Sequence, residues 1–173
     1  MSKPHRLFFA LEPGDAVRQQ VVDLQQSLDV EGRAARPQQF HVTLAFLGMQ
    51  RAELIPGILG IASRLCFEPC SIVMDRVSRF KRSGVLWLGA SEVPMALMDF
   101  QHALVSGLLD AGIGYDRKPW KFHLTLYRKM RKAPVIMHPV AIEWRLSGFS
   151  LIESVGVKNG VEYHPIGRWQ AGS

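Results

Sequence analysis

Phe40-His41-Val42-Thr43-Leu44-Ala45-Phe46-Leu47 is a short apolar run closed by Gly48, and part of it is used twice: His41-Val42-Thr43-Leu44 returns as His123-Leu124-Thr125-Leu126. Thr43 and Thr125 are the only threonines in the chain, and each follows a histidine by two residues. With six histidines in 173 residues, random placement would achieve this roughly once in a thousand sequences, well below the usual false-positive risk of so short a motif. Both runs read as strands, at residues 40–47 and 122–127. In a strand, residues two apart share a face. Each word therefore offers an imidazole and a hydroxyl to one side. Val42 and Leu44, like Leu124 and Leu126, point the other way and can bury.

The surroundings of the two words also match in order. A strand at 6–11 is punctuated by Pro13-Gly14-Asp15, and a helix comes next with Val17, Val21, Leu24 and Leu28 on one stripe. A polar, Gly- and Pro-containing loop at 31–39 leads to the first word. In the second half, a strand at 85–89 is followed by a helix at 94–109 carrying Leu97, Phe100, Leu104 and Leu108, a loop at 110–120, and the second word. Pro13 and Pro94 lie 81 residues apart, and His41 and His123 lie 82 apart. This suggests an internal duplication: one domain over residues 1–173, of α+β class, built of two similar lobes related by an approximate twofold, with the histidines facing each other across the seam.

Between the repeats, a helix is expected at 52–65, with Pro56 tolerable only in its first turn. A strand is expected at 71–80, with a hairpin turn at Lys81-Arg82-Ser83-Gly84. After the second word, residues 141–147 alternate as a half-buried strand, Gly148 breaks the phase as a bulge would, and a short last strand occupies 161–166.

Composition limits the function classes. Apolar residues make up 47% and charged residues 21%, ordinary for a globular protein. No apolar run approaches the roughly 20 residues needed to span a bilayer, and the run at 7–11 is too short for a signal-peptide core. The expected location is the cytoplasm. Cys66 and Cys70 have neither zinc nor redox spacing and read as free thiols. The net charge of +6 is concentrated: between Asp116 and Lys132 stand seven basic residues, Arg117, Lys118, Lys121, Arg128, Lys129, Arg131 and Lys132, around the second word. That pattern fits a phosphate-binding margin better than a solvated face.

Two imidazoles facing one small space suit paired proton transfer, because near neutral pH one can act as base while the other acts as acid. The Thr43 and Thr125 hydroxyls can donate to non-bridging phosphate oxygens, and Arg128 has the fork geometry for a phosphate. The reaction so equipped is in-line displacement at phosphorus without a metal or other cofactor. Neither word carries a carboxylate or a second ligand pair for a metal. No G-x-S-x-G supports a serine nucleophile, and the cysteines lack a basic neighbour beyond Arg64. His5, His102, His138 and His164 lie near ends, turns or a solvated helix face and carry no expected role.

Two H-x-T-L words some eighty residues apart, the first continuing as Ala45-Phe46-Leu47-Gly48 and the second as Tyr127-Arg128, resemble the 2H phosphoesterase superfamily. The opening Arg6-Leu7-Phe8-Phe9-Ala10-Leu11 and the element order are similar to its bacterial RNA 2′,3′-cyclic phosphodiesterase branch, also called 2′-5′ RNA ligase. The resemblance implies a bilobal fold with antiparallel sheets lining a central cleft and helices outside. It implies hydrolysis of RNA 2′,3′-cyclic phosphate ends to 2′-phosphate ends, with reversible 2′-5′ RNA ligation as a second activity. It makes His41 the proton donor, His123 the proton acceptor, Thr43, Thr125 and Arg128 phosphate ligands, and Phe46 a base-stacking residue. The expected partner is RNA ending in a cyclic phosphate, transfer-RNA fragments among the candidates, with no membrane or obligate protein partner. Alternatives are a phosphodiesterase for a small cyclic nucleotide or for a 2′-5′ linkage, whose reverse reaction is ligation, and an RNA-binding protein without catalysis. One departure is Phe122, where many members place proline before the second histidine.

Overall fold

The computed structural model describes residues 3–136 and 138–172; Met1, Ser2, Met137 and Ser173 lie outside that description. Its first strand, β1 (His5–Leu11), is apolar on both faces from Leu7 onward, and both faces are covered. Such a strand belongs in the middle of a sheet. On one side it pairs antiparallel with β3 (Val42–Gln50), on the other with β9 (Gly148–Val157). The second half repeats the scheme. There β6 (Val85–Gly89) lies between β7 (Leu124–Arg128) and β5 (Arg76–Phe80), again antiparallel. With β10 (Gly160–Gln170) outside β9, the strand order is β10-β9-β1-β3-β7-β6-β5. A two-residue strand, β2 (Arg33–Ala34), pairs with the far end of β7.

The two halves of this sheet meet at a single ladder pair, Val42 opposite Leu124. Beyond it β3 and β7 diverge, which opens the central cleft. A second, two-stranded sheet pairs β4 (Cys70–Met74) with β8 (Ile142–Leu146). The chain crosses from this sheet to the main one at Asp75 and at Ser147. At the second crossing a Cβ on Gly148 would fall on the backbone carbonyl oxygen of Trp169, so only glycine fits this close approach.

Helices α1 (Asp15–Ser27), α2 (Ile55–Ser63) and α3 (Met95–Asp110) supply the rest of the core. Val21, Ile58, Leu97, Leu104 and Leu108 are buried in one cluster with Val42, Leu44, Leu124 and Leu126. The inward side chains of the two words thus anchor them in this core. A smaller cluster of Phe8, Ala10 and Ile152, with Phe46 and Tyr163 against it, lies apart from it. The architecture is α+β with antiparallel sheets.

Four expectations change. The helix at 52–65 is a 3-10 turn (Ala52–Leu54) followed by α2, whose first turn holds Pro56 and which ends at Ser63. The strand at 71–80 is two strands, broken where the Asp75 carboxylate accepts the Ser91 N–H at 2.8 Å. The loop at 31–39 contains β2 and a 3-10 turn at Pro37–Gln39. The short strand at 161–166 is the first part of an eleven-residue strand in a long β9–β10 hairpin. Pro165 and Gly167 hid its length. Both are tolerated because β10 is an edge strand and its register shifts between them.

Candidate active site

The antiparallel register at Val42–Leu124 extends to place His41 opposite Thr125 and Thr43 opposite His123. The four polar side chains of the two words therefore share one face of two abutting strands. A β-bulge at the end of each word decides where the next residues point. Ala10 pairs with Thr43 and Phe9 with Ala45, leaving Leu44 unmatched; Trp87 pairs with Thr125 and Leu86 with Tyr127, leaving Leu126 unmatched. The extra residue shifts the alternation by one. Without it, Phe46 and Arg128, three residues after their threonines, would point away from the cleft. With it, both line the cleft.

Each bulge carbonyl receives a buried glutamine. Gln101 Nε2, on α3, donates to Leu44 O at 3.1 Å, and Gln25 Nε2, on α1, donates to Leu126 O at 2.8 Å. The connections cross over: the helix of each half holds the word of the other. Sequence reading missed both glutamines, yet a signal was present. Gln25 stands four residues after Val21 and Gln101 four after Leu97, each a polar residue inside an apolar stripe, and a buried polar side chain needs a partner.

Both imidazoles are oriented by backbone carbonyls two residues upstream. His41 Nδ1 lies 2.7 Å from Gln39 O, and His123 Nδ1 lies 2.8 Å from Lys121 O. A carbonyl only accepts, so Nδ1 carries the proton in both rings and Nε2 is the basic nitrogen. The Thr43 hydroxyl donates to His41 Nε2 at 3.1 Å. Aromatic rings fix each imidazole from the sides: Phe8 and Tyr163 around His41, with centroids at 5.0 and 5.4 Å, and Phe80 and Trp87 around His123, at 5.1 and 6.2 Å.

Burial pushes both histidine pKa values below the ordinary 6.5, and the carbonyl hydrogen bonds only partly offset it. Arg128 lowers both further. The other charges differ. His41 is lowered further by His123 and, least of all, raised by the Glu12 carboxylate, whereas His123 feels the Lys121 ammonium, more strongly than Arg128, and this also favours the neutral form.

The cleft has two arms. One, of about 410 Å³, is lined by His41, Thr43, Phe46, Thr125 and Arg128. The other, of about 780 Å³, is lined by His123 together with Thr43 and Phe46, and by Phe80, Tyr115, Trp120 and Lys121. Thr43 and Phe46 thus stand at the junction. Trp120 lines the second arm, and its indole N–H donates to Thr43 O at 2.8 Å. It pins the first word's strand to the loop before the second word. Phe122 turns into the main core, with its ring 6.2 Å from Trp144. The other histidines stand apart: His5 contacts Glu153 at 2.7 Å, His164 contacts Glu162 at 3.2 Å, and His102 is exposed at the rim of the second arm. Cys66 and Cys70 are free. Among the described residues, no cluster of three or more His, Cys, Asp or Glu side chains forms that would hold a metal ion, and no helix is long and apolar enough to cross a membrane.

Residues 13–157 match the model of the 2′-5′ RNA ligase superfamily. The chain belongs to the 2′-5′ RNA ligase superfamily. It is 30% identical over 173 residues to an RNA 2′,3′-cyclic phosphodiesterase of Escherichia coli K12, covering 98% of each chain. A protein of the same description from Thermus thermophilus is 31% identical over 163 residues, covering 86% of this chain and 81% of that one. Among solved structures, E. coli LigT in complex with 3′-AMP superposes with a TM-score of 0.89 at 28% identity, covering 98% of this chain and 99% of LigT. TT0787 of Thermus thermophilus superposes at 0.82 and 27% identity, covering 95% and 97%. Membership in the superfamily agrees with the fold built above: antiparallel sheets around a cleft, with both words on its floor.

Proposed function

We propose that the protein hydrolyses the 2′,3′-cyclic phosphate end of RNA to a 2′-phosphate end, with two histidines as acid and base. The observation that carries this reading is the pair of abutting words, each with Nδ1 tied to a carbonyl so that Nε2 is the nitrogen that can exchange a proton. The cyclic phosphate sits over the seam, its non-bridging oxygens taking hydrogen bonds from Thr43, Thr125 and Arg128. His123 Nε2 removes a proton from the attacking water. The P–O3′ bond breaks as the new P–O bond forms in line with it, and His41, protonated at Nε2, delivers its proton to O3′. The assignment of base to His123 is supported by Lys121, which favours its neutral form, and that of acid to His41 follows the family resemblance. The phosphate anion counteracts Arg128 and raises both pKa values on binding, which charges His41 when substrate is in place. Phe46, at the junction of the arms, offers a face on which the terminal base stacks.

The relatives' description as RNA 2′,3′-cyclic phosphodiesterases supports the same substrate. The wide arm beside His123 supports 2′-5′ ligation as a second outcome of the same displacement. An RNA strand bound there would bring its 5′-hydroxyl to the base, in the position otherwise held by water.

The test is incubation of an oligoribonucleotide ending in 2′,3′-cyclic phosphate, with and without excess EDTA, followed by analysis of the end formed. A 2′-phosphate in both samples is expected. Binding of the RNA without any such product would leave an RNA-binding protein and remove the enzyme.

A further inference from the structure

The narrower arm of the cleft continues past Arg128, and its far wall has a different character. Arg33 pairs directly opposite Arg128 in the β2–β7 ladder. The Nη2 atoms of Arg33 and Arg36 converge on one backbone position, lying 3.5 and 3.4 Å from where a Cβ on Gly160 would stand. Glycine at that point keeps the space between the two guanidiniums and the β9–β10 turn open. The segment is also braced. Arg36 Nη2 donates to Asn159 O at 3.1 Å, and Gln39 Nε2 donates to Val161 O at 2.6 Å.

Arg6, Arg33, Arg36 and Arg128 all line this arm, and among the described residues no Asp or Glu lines it to answer their charge. Two arginines outside this arm do meet acids: Arg18 meets Asp15 at 2.7 Å and Arg168 meets Glu12 at 3.8 Å. Like charges gathered in a concave site without a counter-charge repel one another and are stabilised by an anion. Arginine forks suit phosphate in particular.

We propose that Arg33 and Arg36 form a second phosphate subsite, which takes the phosphate on the 5′ side of the terminal ribose while Thr43, Thr125 and Arg128 hold the reacting one. This rests on the cyclic phosphodiesterase reading for the identity of the first phosphate. The cross-strand pairing supplies the spacing: directly opposed residues have Cβ atoms about 5 Å apart. The two long side chains therefore reach separate phosphates joined through a single ribose. The subsite distinguishes an RNA end from a bare nucleoside cyclic phosphate, which has no group to place there.

The test compares binding of 2′-AMP, adenosine 2′,5′-bisphosphate and the dinucleotide ApA 2′-phosphate, by calorimetric titration, to the wild type and to Arg33→Ala/Arg36→Ala. Both side chains are exposed, so the variant folds, and an unchanged melting temperature checks this. The bisphosphate is expected to bind the wild type about 10- to 100-fold more tightly than 2′-AMP, the scale of hydrogen bonds to charged groups. The double variant is expected to erase that gain while binding 2′-AMP within twofold of wild type. It should also lower the salt dependence of dinucleotide binding by about one phosphate contact. A gain for the dinucleotide as well shows that the subsite reads an internucleotide linkage; a gain for the bisphosphate alone shows that it reads a terminal 5′-monoester. Equal affinity of the wild type for 2′-AMP and the bisphosphate overturns the proposal, as does equal weakening of both by the double variant. The cyclic phosphodiesterase reading is scored separately, by turnover of a cyclic-ended oligonucleotide. Tight bisphosphate binding with no turnover removes that reading and leaves the subsite standing.

Discussion

Replacing Gln101 by Met keeps the length and approximate shape of the side chain and removes only its hydrogen-bonding end. Gln101 is 6% exposed, and its Nε2 donates at 3.1 Å to the carbonyl of the bulge residue Leu44. A buried acceptor that loses its donor costs about 1–3 kcal/mol. For a chain of this size that corresponds to a fall in Tm of about 2–12 °C. The assay is urea unfolding followed by tryptophan fluorescence, with Gln19→Met as the control. Gln19 is exposed on α1 and bonds only Asp23, at 2.9 Å, so its variant should stay within about 0.5 kcal/mol of wild type. The loss in Gln101→Met should be joined by a rise in KM for a cyclic-ended RNA, because the bulge turns Phe46 toward the cleft. If Gln101→Met unfolds at the same urea concentration and with the same slope as the control, the crossed glutamines do not hold the words, and the reasoning fails.

Four further outcomes are expected. His41→Ala and His123→Ala should each reduce turnover by on the order of 10²-fold or more, and near-wild-type activity in either would end the paired mechanism. Both histidine pKa values lie below 6.5 in the free protein, and kcat/KM reports the free enzyme. Its bell-shaped pH profile should therefore centre below pH 6.5 and lie acid of the profile for kcat, where bound phosphate raises both values; coincident profiles centred above pH 7 would refute this. Because the unfolded chain binds more protons than the folded one between the lowered values and 6.5, stability should be fully present above pH 6.5 and fall as the pH drops through that window. Urea midpoints across pH 5–8, compared with His41→Asn/His123→Asn, check the sign. Finally, Gly148→Ala sets a Cβ against the Trp169 carbonyl, which is backbone and cannot swing aside; a cost at the upper end of about 1–3 kcal/mol is expected in denaturant titration.

The alternation of His41 and Thr43 with the buried Val42 and Leu44 was legible because period two is a local property of a strand. The order strand, helix, His-strand was legible in each half because proline and glycine punctuate it. The reason Phe46 and Arg128 share the cleft with the words was not. Counting by two from Thr43 reaches Ala45, and from Thr125 reaches Tyr127; only the bulges at Leu44 and Leu126 bring the third residue around. A bulge depends on the partner strand, which is distant in the chain for each word, so no local pattern announces it. The hairpin of β9 and β10 was hidden for a similar reason. Its polar and proline-containing residues are acceptable only at a sheet edge, and edges are decided by topology. Trp120 gave no local sign of its bond to Thr43 O, which spans 77 positions.

The crossed glutamines make each half of the chain the other's scaffold. Without the other half each bulge carbonyl would lose its glutamine donor, and Gln25 would keep only Ala35 O, 3.0 Å away in its own half, so each word needs both halves of the one polypeptide. Tethering gives them a high effective concentration, and assembly of the site does not depend on how dilute the protein becomes. It also gives a freedom that two identical subunits lack. In a symmetric homodimer the position five residues after the histidine would be the same on both sides. Here one side has become Phe46 and the other Arg128, and a near-symmetric cradle has acquired a front and a back.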